Sequence, residues 1–393
     1  MLDIKTYNAI AVEGINKFGP EKYRLNQAEE PDAILLRSEN LQKMIFPKKL
    51  KAIARAGVGT NNIPVEACSE QGVVVFNTPG ANANAVKELV LASLILASRP
   101  IIEGVNWAST LEGPNISQQV EAEKKRFVGT EIVGKQLGVI GLGSIGAMVA
   151  NDAYRLGMDV MGYDPYVSVE TAWTISRRVK RAHSVEEVLE TSDYITVHVP
   201  LLKETEKLFD ATQLDKIKQG SVLLNFSRGE LVDNEAVLHA LKTGKISKHF
   251  TDFADDKLMN KEGVVVLPHL GASTAEAEIN CAKMAAKTLT YFLETGNISN
   301  SVNFPTVDLA FNSPLRLAIV NRNITNMIGQ MSIRLAENNI NIINIINRGR
   351  GAYAYTLIDI EDLVQEPLEK IIQEIKNVEG VLTVRSIRNK NKK

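Results

Sequence analysis

The chain has 393 residues, enough for two or three domains with sizeable cores and too many for a single small module. Its 45 Lys and Arg balance 46 Asp and Glu, for a formal net charge of -1. No global field therefore holds it on nucleic acid or an anionic membrane, and the expected partners are small molecules or protein. Cys68 and Cys281 are the only cysteines, without C-x-x-C spacing, and five histidines occur. A disulfide framework and a Cys/His metal site are thereby excluded, and a reducing, cytoplasmic compartment is expected. Met1-Leu2-Asp3-Ile4-Lys5 lacks a charged-then-apolar leader pattern, and the apolar stretch near Leu89 to Ala97 is too short to span a bilayer, so a soluble chain is expected.

Short β-branched runs alternate with segments of helical period, the pattern of parallel βαβ units, and an α/β fold follows. Ala52 to Ala56 and Val73 to Asn77 read as buried strands, ending in Gly57-Val58-Gly59 and Asn77-Thr78-Pro79-Gly80. An apolar helix through Leu89 to Ala97 precedes a second strand series: Leu137 to Ile140, Asp159 to Tyr163, Tyr194 to Val199, Val222 to Phe226 and Val264 to Leu267. Asn297 to Pro314 is polar, Pro-interrupted and without period, and reads as a linker. Beyond it strand 315–320, helix 327–337, strands 340–346 and 352–360, helix 368–376 and strand 381–387 give βαββαβ, a ferredoxin-like module. The basic tail Arg388 to Lys393 reads as solvated charge.

Gly141-Leu142-Gly143-Ser144-Ile145-Gly146 is G-x-G-x-x-G directly after an apolar strand and at the start of a helical pattern. Gly141 permits the tight turn, Gly143 lets backbone approach a pyrophosphate, and Gly146 lets helix pack on strand, while N–H groups of the first helical turn face the anion. The next strand ends at Asp164, eighteen residues past Gly146, placed to accept hydrogen bonds from a ribose. An anion there repels a 2′-phosphate, so NAD is expected over NADP. Arg228, just past a strand, is suited to hold an α-carboxylate bidentately; the competing reading is a surface ion pair. His269 follows the strand ending at Leu267, and the acidic pair Asp255-Asp256 lies between the two. A histidine oriented by a carboxylate is a common proton shuttle in alcohol oxidation. His183, His198, His239 and His249 read as structural or surface residues, with His198 placed to line a cofactor crevice.

Taken together, Gly141 to Gly146 with Asp164-Pro165-Tyr166, Asn225-Phe226-Ser227-Arg228-Gly229 and Pro268-His269-Leu270-Gly271-Ala272-Ser273-Thr274 resemble the D-isomer-specific 2-hydroxyacid dehydrogenases. Arg55 to Ile63 and Asn77 to Asn82 resemble the family's substrate-side strand ends. The resemblance implies two Rossmann-like doubly wound lobes, a substrate lobe of residues 1–95 and 285–305 and an NAD lobe of 96–284, with the active site in the cleft. Residues 315–393 resemble an ACT domain. By the same resemblance Arg228 binds the substrate carboxylate, His269 is the general base and Asp252 meets the nicotinamide carboxamide. Gly141, Gly143, Ser144, Ile145, Gly146, Asp164, Ser227, Gly271 and Ala272 complete the cofactor set. Where the family carries a catalytic Glu this chain has Asp255-Asp256, and Asp256 is the expected carboxylate, with Asp255 left open.

Arg37, Arg55 and Asn82 are the expected substrate contacts, with Lys124-Lys125-Arg126 as further cations for a phosphorylated substrate. Asn321, Asn323 and Asn341 are where such ACT domains hold L-serine. The implied reaction is NAD-dependent oxidation of 3-phospho-D-glycerate to 3-phosphohydroxypyruvate, by a homo-oligomer sensitive to L-serine. A reductase of glyoxylate, hydroxypyruvate or lactate, and a non-catalytic NAD-sensing protein, remain as alternatives.

Overall fold

A computed structural model describes residues 1–389; the end of the basic tail, 390–393, lies outside the described residues. The chain opens with five short strands, β1 (Leu2–Tyr7), β2 (Tyr23–Leu25), β3 (Ala33–Leu36), β4 (Ala52–Arg55) and β5 (Val74–Phe76). They form a parallel sheet in the order β2-β1-β3-β4-β5. Its strands are apolar on both faces: Leu35, Ala54 and Phe76 enter one core, and Ile34, Ile53 and Val75 another, as a sheet covered on both sides requires.

Seven further parallel strands follow: β6 (Gln136–Ile140), β7 (Asp159–Tyr163), β8 (Lys180–Arg181), β9 (Tyr194–Val197), β10 (Ser221–Asn225), β11 (Ile246–Thr251) and β12 (Val264–Val266). Their order is β12-β11-β10-β9-β6-β7-β8, so the direction of winding reverses between β6 and β9, and a crevice opens there at the strands' carboxyl ends. The last four strands, β13 (Leu315–Arg322), β14 (Ile342–Arg350), β15 (Tyr353–Ile360) and β16 (Val381–Arg388), form an antiparallel sheet, β14-β15-β13-β16, with helices Met327–Glu337 and Gln365–Lys376. The α/β class and the βαββαβ order are therefore as expected.

The chain divides into two compact units, Met1–Ala81 with Glu278–Lys393, and Asn82–Ala277. These bounds differ from the expected 1–95 with 285–305 and 96–284. Helix Ala83–Ser98 lies wholly in the second unit because Val86, Val90 and Leu94 pack with Leu137 and Val139. Helix Ala275–Thr295 joins the first core from Cys281 onward through Ala285, Leu289 and Phe292.

Within the first unit the C-terminal module has a sheet of its own, packed on both faces. Leu315, Leu317 and Ile319 of β13 face the module's own helices. Ala318 and Val320, on the opposite face, join Tyr355, Leu357 and Ile387 in the core of the first sheet. The expected linker is likewise built in: Ile298, Phe304 and Val307 are buried, and the Asn303 amide accepts from Val75 N–H at 2.9 Å and donates to Val73 C=O at 2.9 Å. Its polar side chains satisfy buried backbone groups instead of meeting water.

Candidate active site

In the second unit, the turn after β6 shows three separate reasons for glycine. Gly141 has φ +90°, and a Cβ on Gly146 would stand 1.9 Å from Gly141 O. Gly143 has an ordinary negative φ, and a Cβ there would meet nothing within 4 Å. Neither strain nor internal packing thus requires glycine at 143, whereas a ligand lying against the backbone does. Gly143 caps helix Ser144–Arg155, so the N–H groups of Ser144 and Ile145 belong to the anion-binding first turn. The residues present fit a dinucleotide.

Asp164 lies one residue past β7; its Oδ2 accepts from Leu142 N–H and its Oδ1 from Tyr166 N–H, each at 2.8 Å. The carboxylate thus shapes the glycine turn and still has lone pairs free to accept. Asp164→Ala is expected to raise the NAD dissociation constant roughly 10-fold or more and to narrow discrimination against NADP, measured by cofactor titration. Equal use of NAD and NADP by the wild type would remove this role. His198, at the end of β9, bonds Thr196 Oγ1 through Nε2 at 3.0 Å and has no partner at Nδ1. Burial pushes its pKa down to about 3, so it is neutral in the crevice.

Arg228 follows β10. Buried Asn225 fixes its backbone, donating from Nδ2 to Arg228 O at 2.8 Å. Ser227 Oγ donates to Val199 O at 2.6 Å. The exposed guanidinium donates to Ser227 O at 2.6 Å and pairs with no carboxylate among the described residues, so the surface ion-pair reading is not realised.

His269 has φ +53°, a conformation uncommon for a residue with a side chain. Its ring stands edge-on to Phe253 with centroids 5.4 Å apart. The buried carboxylate of this loop region is Asp252, directly before Phe253. Oδ2 of that buried residue accepts from Gly271 N–H at 2.9 Å, and its Oδ1 has no partner. Burial raises the Asp252 pKa, opposed by the Gly271 N–H, the His269 charge and the Arg228 charge. A raised folded-state pKa means stability that is complete below the ordinary carboxylate value of ~3.9 and lost as pH rises through the folded value. Asp252→Asn is therefore expected to raise the melting temperature at pH 7 to 8 and leave it unchanged near pH 3, in a thermal melt series. A wild type more stable than the variant at pH 8 would overturn this.

The acidic pair stands elsewhere. Asp255 Oδ1 accepts from Lys257 N–H at 2.9 Å and its carbonyl from Leu258 N–H at 3.0 Å, closing a turn. Asp256 is exposed, and neither bonds His269 among the described residues. Ala272 accepts from Thr274 N–H at 3.1 Å in the loop after His269. Asn82 precedes helix Ala83–Ser98 with its Oδ1 buried and unpartnered. Lys124 and Arg126 pair with Glu121 and Glu123 one turn away, which leaves the basic run largely neutralised. Phe253 escaped the sequence reading; an aromatic residue directly after the buried Asp252 was the available signal.

In the first unit Arg37 follows β3 and Arg55 ends β4, on strands paired through Leu36 and Arg55. Asn321 and Asn323 line a cavity of about 170 Å³ in the C-terminal module, together with Asn347, Met327 and Ile328. Asn347 Nδ2 donates to Thr356 Oγ1 at 2.7 Å, and that hydroxyl donates to Asn321 Oδ1 at 3.3 Å. Asn341 is exposed and outside this lining; β14 begins after it and carries Asn347 further along, beside Thr356 of β15.

Residues 92–271 match the family model described as D-isomer specific 2-hydroxyacid dehydrogenase, NAD binding domain. The chain is 33% identical to D-3-phosphoglycerate dehydrogenase of Methanocaldococcus jannaschii over 337 residues, 84% of this chain and 62% of that protein. It is 30% identical to the enzyme of that name from Haemophilus influenzae over 352 residues, 86% of this chain and 81% of the relative. The chain thus spans less than two thirds of the Methanocaldococcus protein, and 58% of a similar one from Archaeoglobus fulgidus. The NAD-bound structure of 3-phosphoglycerate dehydrogenase from Entamoeba histolytica aligns with a TM-score of 0.59 and 26% identity over 77% of this chain and 98% of that one. With a relative matched over most of its length and the glycine turn, Asp164, Arg228 and His269 at the ends of one parallel sheet's strands, the chain belongs to the D-isomer specific 2-hydroxyacid dehydrogenase family.

Proposed function

We propose that this chain oxidises 3-phospho-D-glycerate to 3-phosphohydroxypyruvate, using NAD, as a step toward L-serine. The observation that carries the reading is Arg228, an exposed guanidinium without a carboxylate partner among the described residues, set past β10 in the same sheet as the dinucleotide turn. It is assigned the substrate carboxylate, which it grips bidentately while drawing charge toward the neighbouring carbonyl as that group forms. His269 takes the hydroxyl proton, and its edge contact with Phe253 holds the ring. When bound, the nicotinamide supplies the hydride acceptor. Asp252 is assigned the carboxamide, for which its unpartnered Oδ1 is suited.

Asp256 is assigned the orientation of His269. The turn that carries it borders a cavity of about 350 Å³ lined by Asn234, His249 and Phe253, which leaves room for the loop to shift. Arg37 and Arg55 are assigned the phosphoryl group. L-Serine is assigned to the Asn321, Asn323 and Asn347 cavity, whose amides offer donors and acceptors to both ends of an amino acid. Ile101, Val105, Ile116 and Val128 are exposed apolar residues of the second unit, in keeping with a homo-oligomer. A cytoplasmic location accords with two free, buried cysteines, and no helix among the described residues is long and apolar enough to cross a membrane.

The test is NADH formation with 3-phospho-D-glycerate, D-glycerate, D-lactate and glycolate, with and without L-serine. The phosphorylated substrate is expected to give the highest kcat/KM. Equal or faster turnover of an unphosphorylated acid would transfer the chain to another member of the family's substrate range.

A further inference from the structure

A cavity of about 770 Å³ lies within the first unit, inside the range of roughly 300–1,000 Å³ that small-molecule sites occupy. Its wall is assembled from β1 and β2, the end of helix Ala275–Thr295, the connecting segment at Phe311 and Asn312, and β16. Among the described residues, none of those assigned to the dinucleotide, the substrate or L-serine lines it.

Leu2, Leu293, Phe311 and Ile387 make part of the wall apolar. Its charged side chains mostly neutralise one another. Lys22 Nζ and the Tyr23 hydroxyl both hold Glu294, at 2.9 and 2.8 Å, Lys51 pairs with Asp32, and Arg388 pairs with Asp362. Arg385 is the exception. Its partly buried guanidinium lies 4.4 Å from the Phe292 ring centroid, and no carboxylate pairs with it among the described residues. Nη2 donates to Phe292 O at 2.9 Å and Nη1 to Leu293 O at 3.4 Å, and the Tyr355 hydroxyl also faces the group. Capping the last turn of the helix explains a cation at that end. It does not explain a cavity that the same side chain lines.

A guanidinium kept from water without a counter-ion is costly, and the planar carboxylate is the anion that matches its fork. The rest of the wall narrows the class. With Lys22, Lys51 and Arg388 already paired, and exposed Glu21 also in the wall, a second negative charge finds no open cation there. A phosphoryl group or a dicarboxylate is therefore poorly matched, whereas the apolar residues favour a carbon body.

We propose that this cavity binds a small organic monocarboxylate, its carboxylate on Arg385 and its carbon chain against Leu2, Leu293, Phe311 and Ile387. Such a ligand touches β1, the end of helix Ala275–Thr295 and β16 together, so occupancy fastens the C-terminal module to the first sheet. The site is independent of the substrate reading.

The experiment is calorimetric titration of the full chain at pH 8 with acetate, butanoate and hexanoate, with hexan-1-ol as the uncharged probe and inorganic phosphate as the dianion. Affinity is expected to rise about threefold to fourfold per added methylene, the worth of burying one CH2 group, and neither hexan-1-ol nor phosphate should match hexanoate. Because Arg228 is also assigned a carboxylate, each titration is repeated on Arg228→Lys, where hexanoate binding should persist. Arg385→Lys keeps the cation but loses the fork and should weaken hexanoate about tenfold. Asn312→Trp, at an exposed wall position, takes up space while leaving Arg385 in place, and should weaken hexanoate with the melting transition unchanged. Saturating hexanoate should raise the melting transition of the first unit in scanning calorimetry. Hexanoate binding that is lost in Arg228→Lys, or that both Arg385→Lys and Asn312→Trp keep in full, would overturn the site. Equal or tighter binding of phosphate or hexan-1-ol would overturn the ligand class.

Discussion

Arg228→Lys is expected to lower kcat/KM at least ~10²-fold, equivalent to ~2.7 kcal/mol of transition-state stabilisation, with little change in melting temperature. The two halves of that expectation have separate physical grounds. Stability should survive because the side chain is exposed and, among the described residues, its hydrogen bond is to the adjacent Ser227 carbonyl. The loop's geometry depends on Asn225, which bonds the Arg228 carbonyl and the Ser227 N–H and is untouched by the change. Activity should not survive because an ammonium is a point donor, unable to hold both carboxylate oxygens in a plane while polarising the group beside them. Steady-state kinetics with a parallel thermal melt decides the matter. Near-wild-type turnover would remove Arg228 from the chemistry, and a lost melt transition would make it a folding residue.

The elements that could be read from sequence are those whose signal is local. The glycine turn, Asp164, Arg228 and His269 each sit at a strand end, where a change from β-branched residues to Gly, Asp or Pro marks the boundary in a few residues. The βαββαβ order was legible for the same reason, and strand 315–320 differs from β13 by two residues at one end. What escaped is non-local. Asn297 to Pro314 resembles a linker because Asn and Pro are frequent there, yet Asn297 turns its amide onto Asp308 and Leu309 and Asn303 turns its amide onto the distant Val73 carbonyl. No composition rule separates a solvated Asn from one that closes a buried network. The acidic pair shows the converse. Asp255-Asp256 is conspicuous in sequence and Asp255 closes a turn, while Asp252, less conspicuous, is buried and accepts from the Gly271 N–H.

β13 carried a cue of another kind. From Leu315 to Val320 its residues are apolar on both faces except for Arg316, and a cation buried in that doubly covered stretch must find a buried partner. Arg316 lies directly opposite Asp359 on β15, both fully buried, with Nε to Oδ1 at 2.6 Å and Nη2 to Oδ2 at 3.0 Å. The remaining donors leave the module: Nη1 reaches Thr295 O at 2.9 Å, at the end of helix Ala275–Thr295, and Nη2 reaches Ala310 O at 3.1 Å. The guanidinium also lies 4.3 Å from the Phe311 ring centroid. One side chain therefore satisfies a buried carboxylate, a helix C-terminus and the connecting segment together.

Arg316→Ala would strand Asp359 as a buried charge and leave those carbonyls without a donor. The expected cost is about 3–5 kcal/mol, a fall on the order of 10 °C in the melting transition of the first unit. Scanning calorimetry should show the transition of Asn82–Ala277, whose apolar core is separate, moving far less. The double variant Arg316→Met with Asp359→Leu removes both charges and fills their volume, so it should recover most of the loss, as replacement of a buried pair by apolar residues often does. Recovery would locate the damage in the unpaired carboxylate. If Arg316→Ala melts like the wild type, the pair is incidental and the apolar face of Ala318, Val320, Tyr355, Leu357 and Ile387 alone holds the module in the first unit.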